Sequence, residues 1–208
     1  APRTKDLHFT LNVTLEDLYN GKNKKLAVRR KRLLSDGKNT EDEKKKINVN
    51  IEKGMFDEQV ITFNKQADEK VGYETGDIVI TLCCSEHENF ERDDNNLIIE
   101  KEISLYEAYK LEMTITHLNG KEINIFSEPI NIFGDEIDCY RKLVGYGMPI
   151  YGSDNQFGDL IIKFKPQVPS RLSEEQLELL EKLFPRINTI KQSDENLKLE
   201  MVTESDFE

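Results

Sequence analysis

Apolar residues in this chain come in short alternating runs of strand length, and helical signatures are few. His8 to Val13 alternates apolar and polar positions, the period-two pattern of a half-buried strand. Lys25 to Leu33, Ile47 to Ile51, Val60 to Phe63, Leu97 to Ile103, Leu111 to Thr116 and Glu122 to Phe126 have strand length and β-forming residues. Asn119-Gly120 separates the last two runs and predicts a hairpin turn.

Two features recur in order. Thr14-Leu15-Glu16-Asp17-Leu18-Tyr19 and Ser104-Leu105-Tyr106-Glu107-Ala108-Tyr109 both place an acid three positions after a hydroxyl. That spacing approximates a capping box, in which hydroxyl and acid each satisfy one free amide at a helix start. Each copy predicts a short helix. Gly76-Asp77-Ile78-Val79-Ile80 and Gly158-Asp159-Leu160-Ile161-Ile162 are Gly-Asp turns that open β-branched strands. A third helix is predicted from Ser173, which caps with Gln176, to about Phe184, where Pro185 stops it. Its wide apolar surface (Leu177, Leu180, Leu183 and Phe184, with Leu179 beside them) fits either packing on its own domain or a dimer contact. The pattern therefore predicts a mainly β fold. Two tandem β-sandwich-like domains, each with one short helix, occupy 1–98 and 99–169, and a C-terminal amphipathic helix with a loose acidic tail occupies 170–208.

Charge and motifs narrow the function. A net charge of −11 has the wrong sign for a general nucleic-acid binder, and the longest apolar run, Ile78 to Cys84, cannot span a bilayer. Neither nucleic acid nor membrane is an expected partner. One basic run, Lys22, Lys24, Lys25, Arg29, Arg30, Lys31 and Arg32, reads either as a solvated strand face or as a docking site for an acidic peptide. The cysteines, Cys83, Cys84 and Cys139, form no disulfide framework and no zinc pair. With no signal-peptide pattern, a reducing, cytoplasmic setting fits. No phosphate loop, dinucleotide fingerprint or hydrolase elbow occurs, and His8, His87 and His117 lack metal spacing. Asp93-Asp94-Asn95-Asn96 lacks the glycine of a calcium loop and reads as a polar turn. No catalytic residue, metal or cofactor is expected.

Several short motifs align with one family. They include Val13-Thr14-Leu15-Glu16-Asp17-Leu18-Tyr19-Asn20-Gly21, Glu52-Lys53-Gly54-Met55, His87-x-x-Phe90-x-Arg92, Leu118-Asn119-Gly120-Lys121, Gly145-Tyr146-Gly147-Met148-Pro149 and the two Gly-Asp strands. In this order, from about Asp6 to Pro185, the chain resembles the C-terminal region of DnaJ-type co-chaperones. The J domain of that family, with its His-Pro-Asp loop, is not in the sequence, so the resemblance implies a fragment that does not itself stimulate a DnaK-type ATPase. The zinc module of type I members is replaced by a polar loop, Ser35 to Lys46, although Gly54-Met55 and the Val202-x-x-x-Asp206-Phe207 ending look type I-like. Glu58, Asp94 and Asn119 stand where the family usually has Gly, Gly and Asp, and Gly accepts a positive φ that Glu tolerates poorly.

The resemblance implies a co-chaperone that binds unfolded or extended client polypeptides and dimerises, for delivery to a DnaK-type chaperone. A shallow apolar groove of the first β domain would take the client segment as an added strand. It maps onto Leu7, Leu26, Val28, Ile47 and Ile80, which are equally credible core positions. Lys24, Lys25 and Arg29 would hold the acidic C-terminal tail of the chaperone, and Leu177, Leu180, Leu183 and Phe184 would form a homodimer. The alternative is a non-catalytic β-sandwich scaffold that has lost client binding. A charged residue in the aligned groove would favour that alternative, and there is none.

Overall fold

A computed structural model describes residues 1–208. The chain divides into two compact units, Ala1–Val168 and Pro169–Glu208. The first unit is mainly β and is built as a repeat. Its first half contains β1 (Leu7–Val13), α1 (Leu15–Asn20), β2 (Lys22–Leu33), β3 (Thr40–Ile51), β4 (Val60–Phe63) and β5 (Ile78–Cys84). Its second half contains β6 (Phe90–Asp93), β7 (Asn96–Ser104), α2 (Leu105–Tyr109), β8 (Leu111–Thr116), β9 (Glu122–Ser127), β10 (Tyr140–Leu143) and β11 (Leu160–Gln167). Each half has one sheet with a parallel core pair and one separate hairpin. The orders are β1-β5-β4 with β2-β3, and β10-β11-β7-β6 with β8-β9. Every strand pairing stays within one half, and the expected boundary at residue 98 falls inside β7.

The repeat extends to single hydrogen bonds. In the first half the Asp77 amide donates to Asp6, the Asp77 carbonyl accepts from the Leu7 amide, and the Asp77 carboxylate accepts from the Lys65 amide. In the second half Asp159 does the same with Asn96, Leu97 and Gly145. The glycine before each aspartate is required because its partner strand enters at backbone contact. A Cβ on Gly76 would lie 2.6 Å from the Thr4 carbonyl oxygen, and one on Gly158 would overlap the Asn95 carbonyl. These contacts lock β1 beside β5 and β7 beside β11.

All the predicted helices form, and each is closed by the capping box expected for it: Thr14 with Asp17, Ser104 with Glu107, Ser173 with Gln176. The α1 and α2 helices are only one to two turns long, so packing of Leu15, Leu18 and Ala108 into the apolar core sustains them. The turn positions 58 and 94 keep a left-handed backbone, with φ of 64° at Glu58 and 53° at Asp94. Both positions thus hold a side chain in the left-handed region that favours glycine. Asp93 and Asn96 pair across the resulting β6–β7 hairpin, and no group of His, Cys, Asp or Glu is arranged to hold a metal ion.

One expectation is corrected. Ser35 to Lys46 is not a loop: Thr40 to Lys46 form the first part of β3, and only the turn around Ser35 to Asn39 lacks strand pairing. Its acids and lysines are poor strand formers alone. They pair because β2 opposite is basic. Arg30 faces Glu43, Lys31 faces Asp42 and Arg32 faces Glu41, cross-strand charge pairs that support the ladder. The strands β6 and β10, of four residues each, had no alternating pattern to reveal them.

In the second unit, α3 (Glu174–Leu183) has no buried residue. Leu177, Leu180, Leu183 and Phe184 are all exposed, and Leu179 with them. Beyond it the chain carries only a short 3-10 turn, Glu204–Phe207.

Candidate functional site

The β2–β3 hairpin is paired without a bulge over its whole length, from Lys22↔Ile51 to Leu33↔Thr40. In such an antiparallel ladder alternate residues bond to the partner, and the rest direct their amide and carbonyl outwards. The end of the hairpin fixes which are which. The Leu34 amide donates to the Asn39 carbonyl within the hairpin, whereas Lys31 and Leu33 donate outwards, to Asp68 Oδ1 at 2.7 Å and Glu69 Oε2 at 2.8 Å. Asn23, Lys25, Ala27 and Arg29 share the parity of Lys31. Their amides and carbonyls therefore lie along the outer edge of β2, and no group of the chain bonds to them. The segment Asp68–Glu69 closes this edge at Lys31, where the Glu69 amide donates to the Lys31 carbonyl, and leaves it open from Asn23 to Arg29.

Side chains alternate across the same strand. Lys24, Leu26, Val28 and Arg30 face inwards, and Lys25, Ala27, Arg29 and Lys31 are exposed. The aligned groove residues gather on the inward side of one apolar cluster. Val28, Ile47 and Ile80 are buried, at 1%, 5% and 0% exposure. Leu7 and Leu26 pack against that cluster and retain part of their surface. Leu26 lies directly opposite Ile47, and Leu7 opposite Ile78 of β5.

The candidate tail-binding cations are not brought together. Lys24 points inwards, with its Nζ 3.0 Å from Asp17 Oδ2 and 2.8 Å from the Asn12 carbonyl. Burial alone would push the Asp17 carboxyl up, but the Thr14 amide and the Lys24 ammonium outweigh it and hold the group below its ordinary value. Lys25 and Arg29 lie on the opposite, exposed face and make no ion pair.

A cavity of about 640 Å³ in this unit lies elsewhere and is lined by none of the candidate residues. Leu18, Phe56, Cys84, His87 and Arg92 contribute to its wall. There His87 accepts the Asn89 and Phe90 amides at Nδ1, so its Nε2–H donates to Glu16. Arg92 stacks 4.2 Å over Phe56 and donates to the carbonyls of Gly54, Met55 and Asp94. These motif residues act as clamps between loops. Sequence reading missed the edge-closing pair Asp68 and Glu69, because they lie more than thirty residues from β2 in an unpatterned stretch.

A family model described as "DnaJ C terminal domain" matches residues 7–169. "Chaperone protein dnaJ 3" of Arabidopsis thaliana is 40% identical over 153 residues, which is 73% of this chain and 36% of that protein. "DnaJ homolog subfamily A member 2" of Homo sapiens is 40% identical over 146 residues, 69% of this chain and 35% of that protein. "DnaJ protein homolog 1" of Allium porrum is 35% identical over 154 residues, 74% of this chain and 38% of that protein. The chain thus spans little more than a third of the length of these relatives.

Proposed function

Because the chain belongs to the DnaJ C-terminal domain family, we propose that it binds extended segments of unfolded client polypeptides by adding them as a strand to the outer edge of β2. The observation that carries this reading is the open edge from Asn23 to Arg29, flanked on its inward side by the half-covered apolar surface of Leu26. Backbone hydrogen bonds would supply sequence-tolerant affinity. A client leucine that covers this surface gains at most about 1.5–3 kcal/mol, and ordering the segment offsets part of it. Weak, reversible capture suits a co-chaperone that passes clients to a DnaK-type partner. Val28, Ile47 and Ile80 form the floor beneath, with Leu7 beside it.

The test is suppression of aggregation of a chemically unfolded model protein. Ala27→Pro removes one outward amide and no bond to β3, so the hairpin should stay intact. We expect it to abolish protection, and Leu26→Ser to weaken it several-fold. Full protection by both variants would refute the assignment. In the same assay an acidic tail peptide from the DnaK-type partner should compete, through Lys25 and Arg29; Lys24, already bound to Asp17, contributes through that pair alone.

Residues 7–84 and 90–167 serve in this reading as two β domains, and the second unit as a dimerisation element. The exposed leucines of α3 and Phe184 form an apolar face that a second copy would cover, and two copies would offer one client two edges. Sedimentation at micromolar concentration should give twice the chain mass of 24.2 kDa, reduced to one copy by Leu180→Asp. A monomer throughout would exclude it.

A further inference from the structure

The cavity of about 640 Å³ draws its walls from both halves of the first unit: α1, the turn at Phe56-Asp57 and the end of β5 from one, β6 and Asp94 from the other. Its volume is that of a small-ligand site, about 300–1,000 Å³. Its floor is apolar. Leu15, Leu18 and Phe90 are buried there, and Phe56 is partly buried beside them. Its rim is acidic, with the exposed carboxylates of Asp57, Glu86, Glu91 and Asp94. None of these four pairs with a cation of the chain. Arg92 is the one cation on the wall. Its guanidinium is spent on the chain itself, donating to the carbonyls of Asp94, Met55 and Gly54 and lying 4.2 Å over the Phe56 ring. The walls are clamped: the Cys84 amide donates to Asp57 and the His87 ring to Glu16. The site is therefore preformed, and a ligand need order little of it.

We propose that this cavity binds a small organic cation, its apolar stem over Leu18, Phe56 and Phe90 and its ammonium or guanidinium group at the rim among the four carboxylates. The reading is independent of strand addition at β2, whose residues do not line the cavity. Each methylene of the stem that leaves water strengthens binding about fourfold. The cation relieves the mutual repulsion of the rim carboxylates, which an uncharged ligand does not, and an anion is repelled. The rim does not suit a bare metal ion, because no group of His, Cys, Asp or Glu converges closely enough to ligate one. The Cys84 thiol in the wall is pushed up by burial and by Asp57. At neutral pH it therefore stays protonated and serves as a small apolar wall group. A free amine and a lysine or arginine side chain of a polypeptide present the same chemistry to this site.

The test uses the whole chain and its two neighbouring thiols. Cys84 lines the cavity, whereas Cys83 is exposed and lies outside it. Alkylation by iodoacetamide is timed at each by fragmentation mass spectrometry, with hexylamine, hexanol or hexanoate present. Hexylamine should slow the reaction at Cys84 and leave Cys83 unchanged. Hexanol should need about tenfold more for the same protection, and hexanoate should give none. The advantage of the amine should shrink as salt rises. In Glu86→Gln/Glu91→Gln, whose side chains are exposed and unpaired, the amine should protect no better than the alcohol. A lysine peptide blocked at both ends separates the two sources: protection by it as well assigns the site to a polypeptide side chain, and protection by hexylamine alone to a free amine. Equal protection by amine and alcohol in the parent chain would overturn the proposal in favour of a merely apolar cavity. No protection by any probe, or equal slowing at Cys83 and Cys84, would overturn it too. So would an advantage of the amine that survives in the doubly neutralised variant.

Discussion

The two halves of the first unit share a frame and differ in one element. Both place a Gly-Asp turn against the strand that runs parallel to it, and both follow that first strand with a capped helix of one to two turns. Their hairpins diverge. The β2–β3 hairpin has strands of 12 residues and a basic outer face, whereas the strands of β8–β9 have six and expose Glu112, Thr114, Thr116, Glu122, Asn124 and Phe126. The frame is held by backbone contacts that tolerate little change. The hairpin is held by cross-strand charge pairs that permit extension and a change of sign. Binding chemistry is expected where the repeat diverges, and β2 with its open edge lies there.

The largest expected effects come from the shared frame. Gly76→Ala and Gly158→Ala both push a methyl group into a backbone carbonyl, of Thr4 and Asn95, in the segment that leads into the partner strand. Neither glycine has a positive φ, so the penalty is steric and each should cost about 1–3 kcal/mol. Gly158 has the tighter approach, so its variant should be the less stable in urea unfolding. Equal, negligible losses would show that the two halves are not pinned at these turns. A loss confined to Gly76→Ala would show that the second half can slide where the first cannot.

The frame was legible in the sequence and the edge was not. Capping boxes and Gly-Asp turns act within a few residues, so Thr14, Ser104, Asp77 and Asp159 announce their roles locally. The strand Thr40 to Lys46 was hidden because its support is the charge on β2, which no local propensity encodes. The aligned groove positions were found by resemblance alone, and the structure puts Val28, Ile47 and Ile80 beneath the surface and only Leu7 and Leu26 partly on it. Lys24 and Lys25 are neighbours in sequence with opposite fates, one paired with Asp17 and one unpaired, because successive strand residues face opposite ways.

A smaller effect separates the two capping boxes. Asp17 and Glu107 cap equivalent helices, but Asp17 is buried and also neutralises Lys24, while Glu107 caps at the surface. Glu107→Ala should cost about 1 kcal/mol, the net value of the one hydrogen bond it accepts from the Ser104 amide. Asp17→Ala should cost up to about 2–3 kcal/mol, because it also leaves the Lys24 ammonium without its carboxylate. The pH dependence isolates the second contribution. The Asp17 carboxyl is held below its ordinary value by the Thr14 amide and Lys24, against the opposing push of burial. Its contribution is therefore complete above the unfolded value of about 3.9 and disappears as pH falls through the lower folded value. Asp17→Asn keeps a side-chain acceptor for the Thr14 amide but carries no charge. As pH falls from about 5 through that unfolded value and below it, the parent should lose more stability than Asp17→Asn. Parallel curves would mean that the Asp17–Lys24 pair adds nothing to the first half that the surface cap does not add to the second.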